Sequence, residues 1–187
     1  MRFGGVLLIN IILYGNLQDK KIFNCLKKNF AKQFSCSFLN DQYIDMRDSQ
    51  ADFLIYETDH PLDILNEHTI VVFKDSGAFD VRPCKNRQHV SIINSENNWA
   101  IDFIKENELN TITCGLSLKD IVSVSSYTGE STVVALQRSI RSLMGTMIEP
   151  VEIPIRRISN ADLYSILVLN AILLLSEKQG SVEKMDF

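Results

Sequence analysis

An apolar run, a glycine and an amphipathic segment near the start of the chain constrain its fold more than any other feature. Residues Gly5–Tyr14 (GVLLINIILY) predict a buried first strand that ends at Gly15, and a helix is predicted from about Asp19 (DKKIFNCLKKNF). Mononucleotide-binding folds carry their phosphate-binding loop, G-x-x-x-x-G-K-[ST], between a strand and a helix in this order. Lys21 has the spacing from Gly15 that this motif requires.

The loop itself departs from the motif. Lys20 stands in the place of the second glycine, and Ile22 replaces the Ser or Thr whose hydroxyl binds Mg²⁺. Without the glycines, backbone N–H groups do not fold easily around phosphate oxygens, and Asp19 adds a negative charge at that point. We take Gly15, Lys20 and Lys21 as the candidate nucleotide-binding residues of an eroded loop. The alternative for Lys21 is an exposed lysine at the start of a helix.

The composition fits one globular domain. The chain has 187 residues, of which 45% are hydrophobic and 22% charged, enough for a sizeable core. A formal net charge of −4 gives no electrostatic support for binding nucleic acid. The apolar runs Gly5–Tyr14 and Ile166–Leu175 are too short to span a bilayer, so we predict no membrane association and a cytoplasmic location. Four widely spaced cysteines favour reduced thiols over a zinc site.

The order of predicted elements favours an α/β fold. Apolar, β-branched runs alternate with helical segments, as in a parallel sheet that is buried on both faces. After Gly115 apolar and polar residues alternate, which predicts antiparallel strands. We therefore predict a mainly parallel P-loop-type sheet flanked by helices, with a small antiparallel β-ribbon in the C-terminal half. The predicted strands are 5–14, 34–39, 52–58, 68–74, 90–94, 111–114, 121–127, 131–136 and 151–155, and the predicted helices are 19–33, 97–106 and 160–177.

Three further predictions concern the boundaries of these elements. The polar segment 40–51 predicts a loop. Ser159 or Asn160 can cap the N-terminus of the last helix. Residues 1–177 are expected to form a single domain, and 178–187 a polar, frayed tail.

Five segments share local motifs, in the same order, with one enzyme family. They are ADFLIYETD (51–59), HTIVVFKDSGAFD (68–80), VSIINSENNWA (90–100), TITCGLSLKDIVSVS (111–125) and VEIPIRRISNADLYSILVLNAILLLSE (151–177). Their succession resembles the central ATP-binding domain of the Mur ligases and their folylpolyglutamate synthetase relatives. The resemblance implies ATP and Mg²⁺ as cofactors, Glu57 as a metal ligand and Asn94 as a contact to the nucleotide.

The chain departs from this family at positions that carry chemistry. The family's D-H pair falls on Ala78 and Phe79, so the metal-binding His is absent, and its H-N pair falls on Ser159 and Asn160. We find no clear counterpart of the modified Lys that helps to bind metal in the family, nor of its N-terminal substrate domain and C-terminal ligase domain. The alternative for Glu57 is a solvated carboxylate at a strand end, and for Asn94 a turn residue.

Asp59 and His60 follow Glu57 directly, which suggests a joint metal site. We expect a turn to separate them from Glu57, so this interpretation is the less favoured one.

Three functions remain open from the sequence. The favoured hypothesis is a pseudoenzyme: a non-catalytic Mur-ligase-like domain that binds a partner or a ligand. The second is an ATP-binding subunit of an ATP-dependent carboxylate–amine ligase that another chain completes, using Lys21, Glu57 and Asn94. The third is a nucleotide or small-molecule sensor. A protein partner or a homo-oligomer is predicted, because the faces on which missing domains would dock are apolar.

Overall fold

A computed structural model describes residues 7–46, 50–60, 68–76, 89–128, 131–156 and 162–185 of the chain. The α-helices are α1 (Lys21–Phe30), α2 (Asn98–Asn107) and α3 (Leu163–Leu175), followed by a short 3₁₀ helix, Gln179–Lys184. The strands are β1 (Ile9–Tyr14), β2 (Cys36–Asn40), β3 (Tyr43–Met46), β4 (Phe53–Thr58), β5 (Thr69–Phe73), β6 (Val90–Asn94), β7 (Thr111–Gly115), β8 (Val122–Tyr127), β9 (Ser131–Leu136), β10 (Ile140–Arg141), β11 (Met147–Ile148) and β12 (Val151–Arg156).

One ten-stranded sheet organises the described residues. Its strand order is β12-β9-β8-β7-β6-β5-β1-β4-β2-β3. The strands from β8 to β2 are parallel to their neighbours, whereas β3, β9 and β12 are antiparallel. Strands β10 and β11 form a separate two-stranded antiparallel sheet. The predicted α/β class is therefore confirmed, as is the antiparallel ribbon in the C-terminal half.

The helices cover both faces of the sheet. On one face α1 packs against α3, which lies on β6, β7 and β8. Ile11, Leu13 and Leu26 are fully buried in the large core cluster to which α1 and α3 contribute. On the other face α2 covers a smaller cluster that includes Phe73 and Ile104. The sheet is buried on both sides, which explains why its central strands are apolar throughout rather than alternating.

Helix α3 is the most buried element of the fold. Of its residues only Leu163 is partly exposed, and the run Tyr164–Leu175 is buried. A helix that is apolar all round has to lie in the interior of a domain. None of the helices in the described ranges is long and apolar enough to cross a membrane.

Several predicted boundaries differ from the structure. The loop predicted over 40–51 is wrong at Tyr43–Met46, which pairs with β2 as the antiparallel edge strand β3. The cause is a tight turn, in which the Asn40 side chain accepts hydrogen bonds from the backbone N–H groups of Gln42 (2.9 Å) and Tyr43 (3.0 Å). The turn brings a short strand back onto the edge of the sheet, although the polar composition of the segment 40–51 favours a loop.

The C-terminal part of the chain is more ordered than predicted. The N-cap of α3 is Asp162, whose carboxylate accepts from the Ser165 N–H at 3.0 Å, and neither Ser159 nor Asn160 is within the described residues. The predicted frayed tail is wrong up to residue 185, because Val182 and Met185 are buried against the core. The family motif positions at Ala78 and Phe79 also lie outside the described residues.

Candidate functional site

The loop after β1 lies at the carboxyl edge of three adjacent parallel strands. Because β1 lies between β4 and β5, residues that follow these strands meet at one place. Backbone hydrogen bonds join Gly15 N–H to Thr58 O (3.0 Å), Asn16 N–H to Ser76 O (2.9 Å) and Lys74 N–H to Tyr14 O (2.9 Å). The loop is therefore fixed to the strand ends on both sides. Gly15 has a φ of 139°, which L-residues rarely adopt.

The side chain of Lys74 fills the space inside this loop. Its ammonium is fully buried and donates to Glu57 Oε1 at 2.6 Å, Asn16 O at 3.0 Å and Asp19 O at 2.9 Å. An ammonium has three N–H donors, so each one is used. We call the three acceptors, the Glu57 carboxylate and the carbonyls of Asn16 and Asp19, the Lys74 cradle.

Glu57 is buried and bound by two lysines. Its second oxygen, Oε2, accepts a short hydrogen bond from Lys20 Nζ. Lys20 is 39% exposed, and its ammonium lies 5.6 Å from the centroid of the Phe23 ring. A buried carboxylate requires such partners, because an unpaired charge in the interior is very costly.

Two backbone N–H groups of the loop, those of Gln18 and Lys21, are bound by side chains of the loop itself. Asp19 accepts from the Lys21 N–H at 3.2 Å through Oδ1 and from the Ser76 hydroxyl at 3.1 Å through Oδ2. Asn16 Oδ1 accepts from the Gln18 N–H at 2.9 Å. A phosphate-binding loop directs its N–H groups at the ligand, whereas this loop directs carbonyl oxygens at an internal cation.

Lys21 and Asn94 lie on a neighbouring cleft and not in the Lys74 cradle. Lys21 is exposed, with its Nζ 3.9 Å from Asp162 Oδ1, and Asn94 Nδ2 donates to Asp75 Oδ1 at 2.9 Å. The cleft has a volume of about 230 Å³. Its lining residues are Asp75, Asn94, Glu96, Cys114, Gly115, Leu116, Asp162, Leu163, Tyr164 and Leu167.

The cleft is acidic and partly apolar. Its lining includes the carboxylates of Asp75, Glu96 and Asp162, and none of the lining residues is basic. Desolvation raises the pKa of Asp75 from its ordinary value, and the hydrogen bond from Asn94 opposes this shift. Three carboxylates already lie in the cleft, and desolvation disfavours the charged form of one of them. The cleft therefore favours the binding of a cationic group over that of an anionic group.

The structure brings together some of the predicted site residues and adds one. Gly15, Lys20 and Glu57 lie at the same end of β1, while Lys21 and Asn94 border the cleft. Lys74 was not predicted. The signal available was its position, since it directly follows the fully buried strand TIVVF at the carboxyl edge of the sheet.

Solved structures of Mur ligases share the fold of this chain. A UDP-N-acetylmuramoyl-L-alanyl-D-glutamate–2,6-diaminopimelate ligase aligns with 95% of this chain and 46% of its own, at 11% identity and a TM-score of 0.54. The MurF ligase from Thermotoga maritima, in complex with ADP, aligns with 95% of this chain and 47% of its own, at 12% identity and a TM-score of 0.53. The UDP-N-acetylmuramate:L-alanyl-gamma-D-glutamyl-meso-diaminopimelate ligase from Neisseria meningitides aligns with 97% of this chain and 66% of its own, at 8% identity and a TM-score of 0.54.

These likenesses concern the fold. The chain spans about half the length of the first two ligases and about two thirds of the third. No protein-family model and no curated protein sequence matches the chain. At such low identity a structural match establishes a shared fold and leaves chemistry to the individual site. The fold expected from the resemblance is confirmed.

Proposed function

We propose that this chain is a non-catalytic domain with a Mur-ligase fold, which acts by binding a partner protein or a ligand. The observation that carries the proposal is the Lys74 cradle. An ammonium of the chain itself takes the position, inside the loop after β1, that a mononucleotide fold offers to phosphate. A ligase that forms an acyl phosphate from ATP needs this position for the phosphates of the nucleotide. Its catalysis depends on holding the transferred phosphoryl group and its metal ion in line with the attacking oxygen.

The described residues do not fit a magnesium-bound nucleotide. Glu57, the carboxylate expected to bind metal, is buried and hydrogen-bonded through both oxygens. A phosphate entering the loop would meet the carbonyl oxygens of Asn16 and Asp19, which repel it. Asp19 already bonds the Lys21 N–H, so the N-terminus of α1 has a negative group in place.

The acidic cleft supports a binding role of a different kind. Three carboxylates line the cleft, and Lys21 at its border lies 3.9 Å from one of them, that of Asp162. This excess of negative charge disfavours a polyphosphate and favours a ligand or a partner side chain with an ammonium or guanidinium group. Leu116, which lines the cleft, is 61% exposed, and Leu118 in the same loop after β7 is 78% exposed. Exposed leucines at the rim of a cleft are typical of a surface that another molecule covers.

Calorimetric titration with ATP, with and without Mg²⁺, tests the proposal. We expect no binding at millimolar ATP by the full chain. Lys21→Ala and Glu57→Gln are the informative variants, and Lys28→Ala, an exposed lysine of the same helix, is the matched control.

The other outcomes distinguish the remaining functions. Mg²⁺-dependent binding that is lost in Lys21→Ala and Glu57→Gln, and kept in Lys28→Ala, would favour an ATP-binding ligase subunit completed by another chain. Binding that does not depend on Mg²⁺ would favour a nucleotide sensor. The first result contradicts the non-catalytic domain proposed here, and the second contradicts the argument that the chain's own lysine occupies the nucleotide position.

A further inference from the structure

A second group of polar side chains lies at the carboxyl edge of the sheet, outside both the Lys74 cradle and the cleft. Asp41 belongs to the turn between β2 and β3, and Asp59 and His60 directly follow β4. Strands β2 and β4 are parallel neighbours in which Leu39 pairs with Tyr56. Two residues further along the two strands, Asp41 is therefore level with Thr58, the last residue of β4. Asp59 and His60 follow Thr58 directly.

The ligand atoms of the three side chains converge. One oxygen of each carboxylate and one imidazole nitrogen all lie within 4.8 Å of one another. The Asp59 Oδ1 to His60 Nδ1 distance is 3.6 Å. Two ligand atoms bound to one tetrahedral metal ion at ~2.0–2.1 Å lie about 3.4 Å apart, so small side-chain rotations suffice to close the set around an ion.

The backbone around the set is fixed while the side chains face solvent. The His60 N–H donates to the Thr58 hydroxyl at 3.0 Å, which holds the chain where it leaves β4. The side chains of His60 and Asp59 are 74% and 46% exposed, so an ion can enter without disturbing the core. No lysine or arginine within the described ranges forms an ion pair with Asp41 or Asp59.

We propose that Asp41, Asp59 and His60 form a binding site for a divalent transition-metal ion such as Zn²⁺. The imidazole of His60 indicates a transition-metal ion. Mg²⁺ and Ca²⁺ prefer sites made of oxygen atoms alone, whereas Zn²⁺ accepts nitrogen and oxygen ligands together. A bound ion clips the β2–β3 turn to the end of β4. Three protein ligands leave at least one position for water or for a donor atom of another molecule. The proposal does not depend on the function proposed above.

Glu57 is not part of this site. This carboxylate, which the sequence places in the same E-T-D-H run, belongs to β4, is fully buried and is bound by Lys20 and Lys74. The run is thus divided in the structure. Glu57 belongs to the buried ion pairs, whereas Asp59 and His60 belong to the exposed set, in which Asp41 supplies the third ligand.

The test uses the full chain after treatment with EDTA, titrated with Zn²⁺ in a calorimeter. We expect saturable binding of one equivalent. His60→Ala and Asp41→Asn should each weaken it by more than tenfold, since even the loss of an outer-shell partner costs ~10–100-fold in metal affinity. His68→Ala is the matched control and should bind as the parent does, because His68 precedes β5 at the amino edge of the parallel strands, opposite the edge that carries the set.

Two further measurements keep the result decisive. Zn²⁺ should raise the melting temperature of the parent and of His68→Ala, but not that of His60→Ala or Asp41→Asn. Co²⁺ should bind without an intense thiolate charge-transfer band. The proposal is wrong if no saturable binding occurs up to about 1 mM Zn²⁺, far above the range of functional zinc sites. Undiminished binding by the His60→Ala/Asp41→Asn double variant, or a thiolate band that places the metal on cysteine, would equally refute it.

Discussion

The Nζ atom of Lys74 lies 2.6 Å from Oε1 of Glu57, and both side chains are completely buried. The pair comes from the two strands that flank β1. Glu57 is the last residue but one of β4, and Lys74 directly follows β5. The Lys74 ammonium also binds the loop after β1, by donating to the carbonyl oxygens of Asn16 and Asp19. The loop of this chain is therefore organised around a cation that belongs to the protein.

Removal of the buried ammonium should be severely destabilising. Lys74→Met leaves Glu57 buried with Lys20 as its remaining ionic partner, and breaking a buried ion pair in this way costs about 3–5 kcal/mol of unfolding free energy. The Glu57→Leu/Lys74→Met double variant should recover most of the loss, because it leaves no buried charge. Urea denaturation measures both effects. Lys28→Met, an exposed control, should change the free energy of unfolding by less than about 0.5 kcal/mol.

The Lys74 cradle should accept an ammonium that is not attached to the chain. Lys74→Ala removes the atoms equivalent to propylammonium, so millimolar propylammonium should raise the melting temperature of this variant and not that of the parent. 1-Propanol has the same length without the charge and serves as the control. Equal stabilisation by both compounds would show that the cavity is filled by its apolar part alone, and that the three acceptors do not select a cation.

Stability should depend on the charge of Asp75. Desolvation raises the pKa of this carboxyl above its ordinary value of 3.8. A raised pKa means that the folded state binds the proton more tightly, so this contribution to stability is present below pH 3.8 and is lost as the pH rises through the folded-state pKa. Asp75→Asn should therefore gain stability relative to the parent between pH 3 and pH 7.

Urea denaturation of both proteins at several pH values measures this difference, with Asp102→Asn on the exposed face of α2 as the control. A stability difference between parent and Asp75→Asn that is the same at pH 3 and pH 7 would show that the carboxyl is not perturbed.

The buried thiols should be unreactive in the folded protein. Burial raises the pKa of Cys25 to about 11, although a hydrogen bond from Asn29 opposes the shift, and burial also raises the pKa of Cys114. The thiolate is the reactive form, so both cysteines remain protonated at neutral pH. In a Cys84→Ser variant, a thiol-reactive disulfide reagent at pH 8 should label Cys25, Cys36 and Cys114 only after urea is added. Rapid labelling of the native variant would contradict this.

The sequence predicted the sheet well because its signals are local. The strands around Ile11, Ile55 and Val72 are apolar on both faces, and that pattern alone indicates a parallel sheet between helices. The edge strand β3 was missed because its turn depends on one Asn40 side chain and its four residues lie within a segment that is polar as a whole. Local composition therefore failed where a single hydrogen-bonding side chain decides the chain path.

The candidate site was predicted only in part, for a related reason. The loop motif located Lys20 and the family resemblance located Glu57, and the two side chains meet as an ion pair. The approach of Lys74 to the loop requires β5 to lie beside β1, and that neighbour relation is set by the topology of the sheet. Asp41 likewise reaches Asp59 and His60 only through the pairing of β2 with β4. Contacts between distant segments carry no signature in either segment alone.

The burial of α3 has a consequence for how the protein is made. Helix α3 packs on β6, β7 and β8, and the ribosome completes it roughly 60 residues after the end of β7, about 3–12 seconds later at ~5–20 residues per second. During that interval the buried residues of these strands, such as Ile92, Ile112 and Val122, lack the helix that packs on them. We expect nascent chains that end before Leu163 to bind chaperones and to resist folding until translation has passed Leu175.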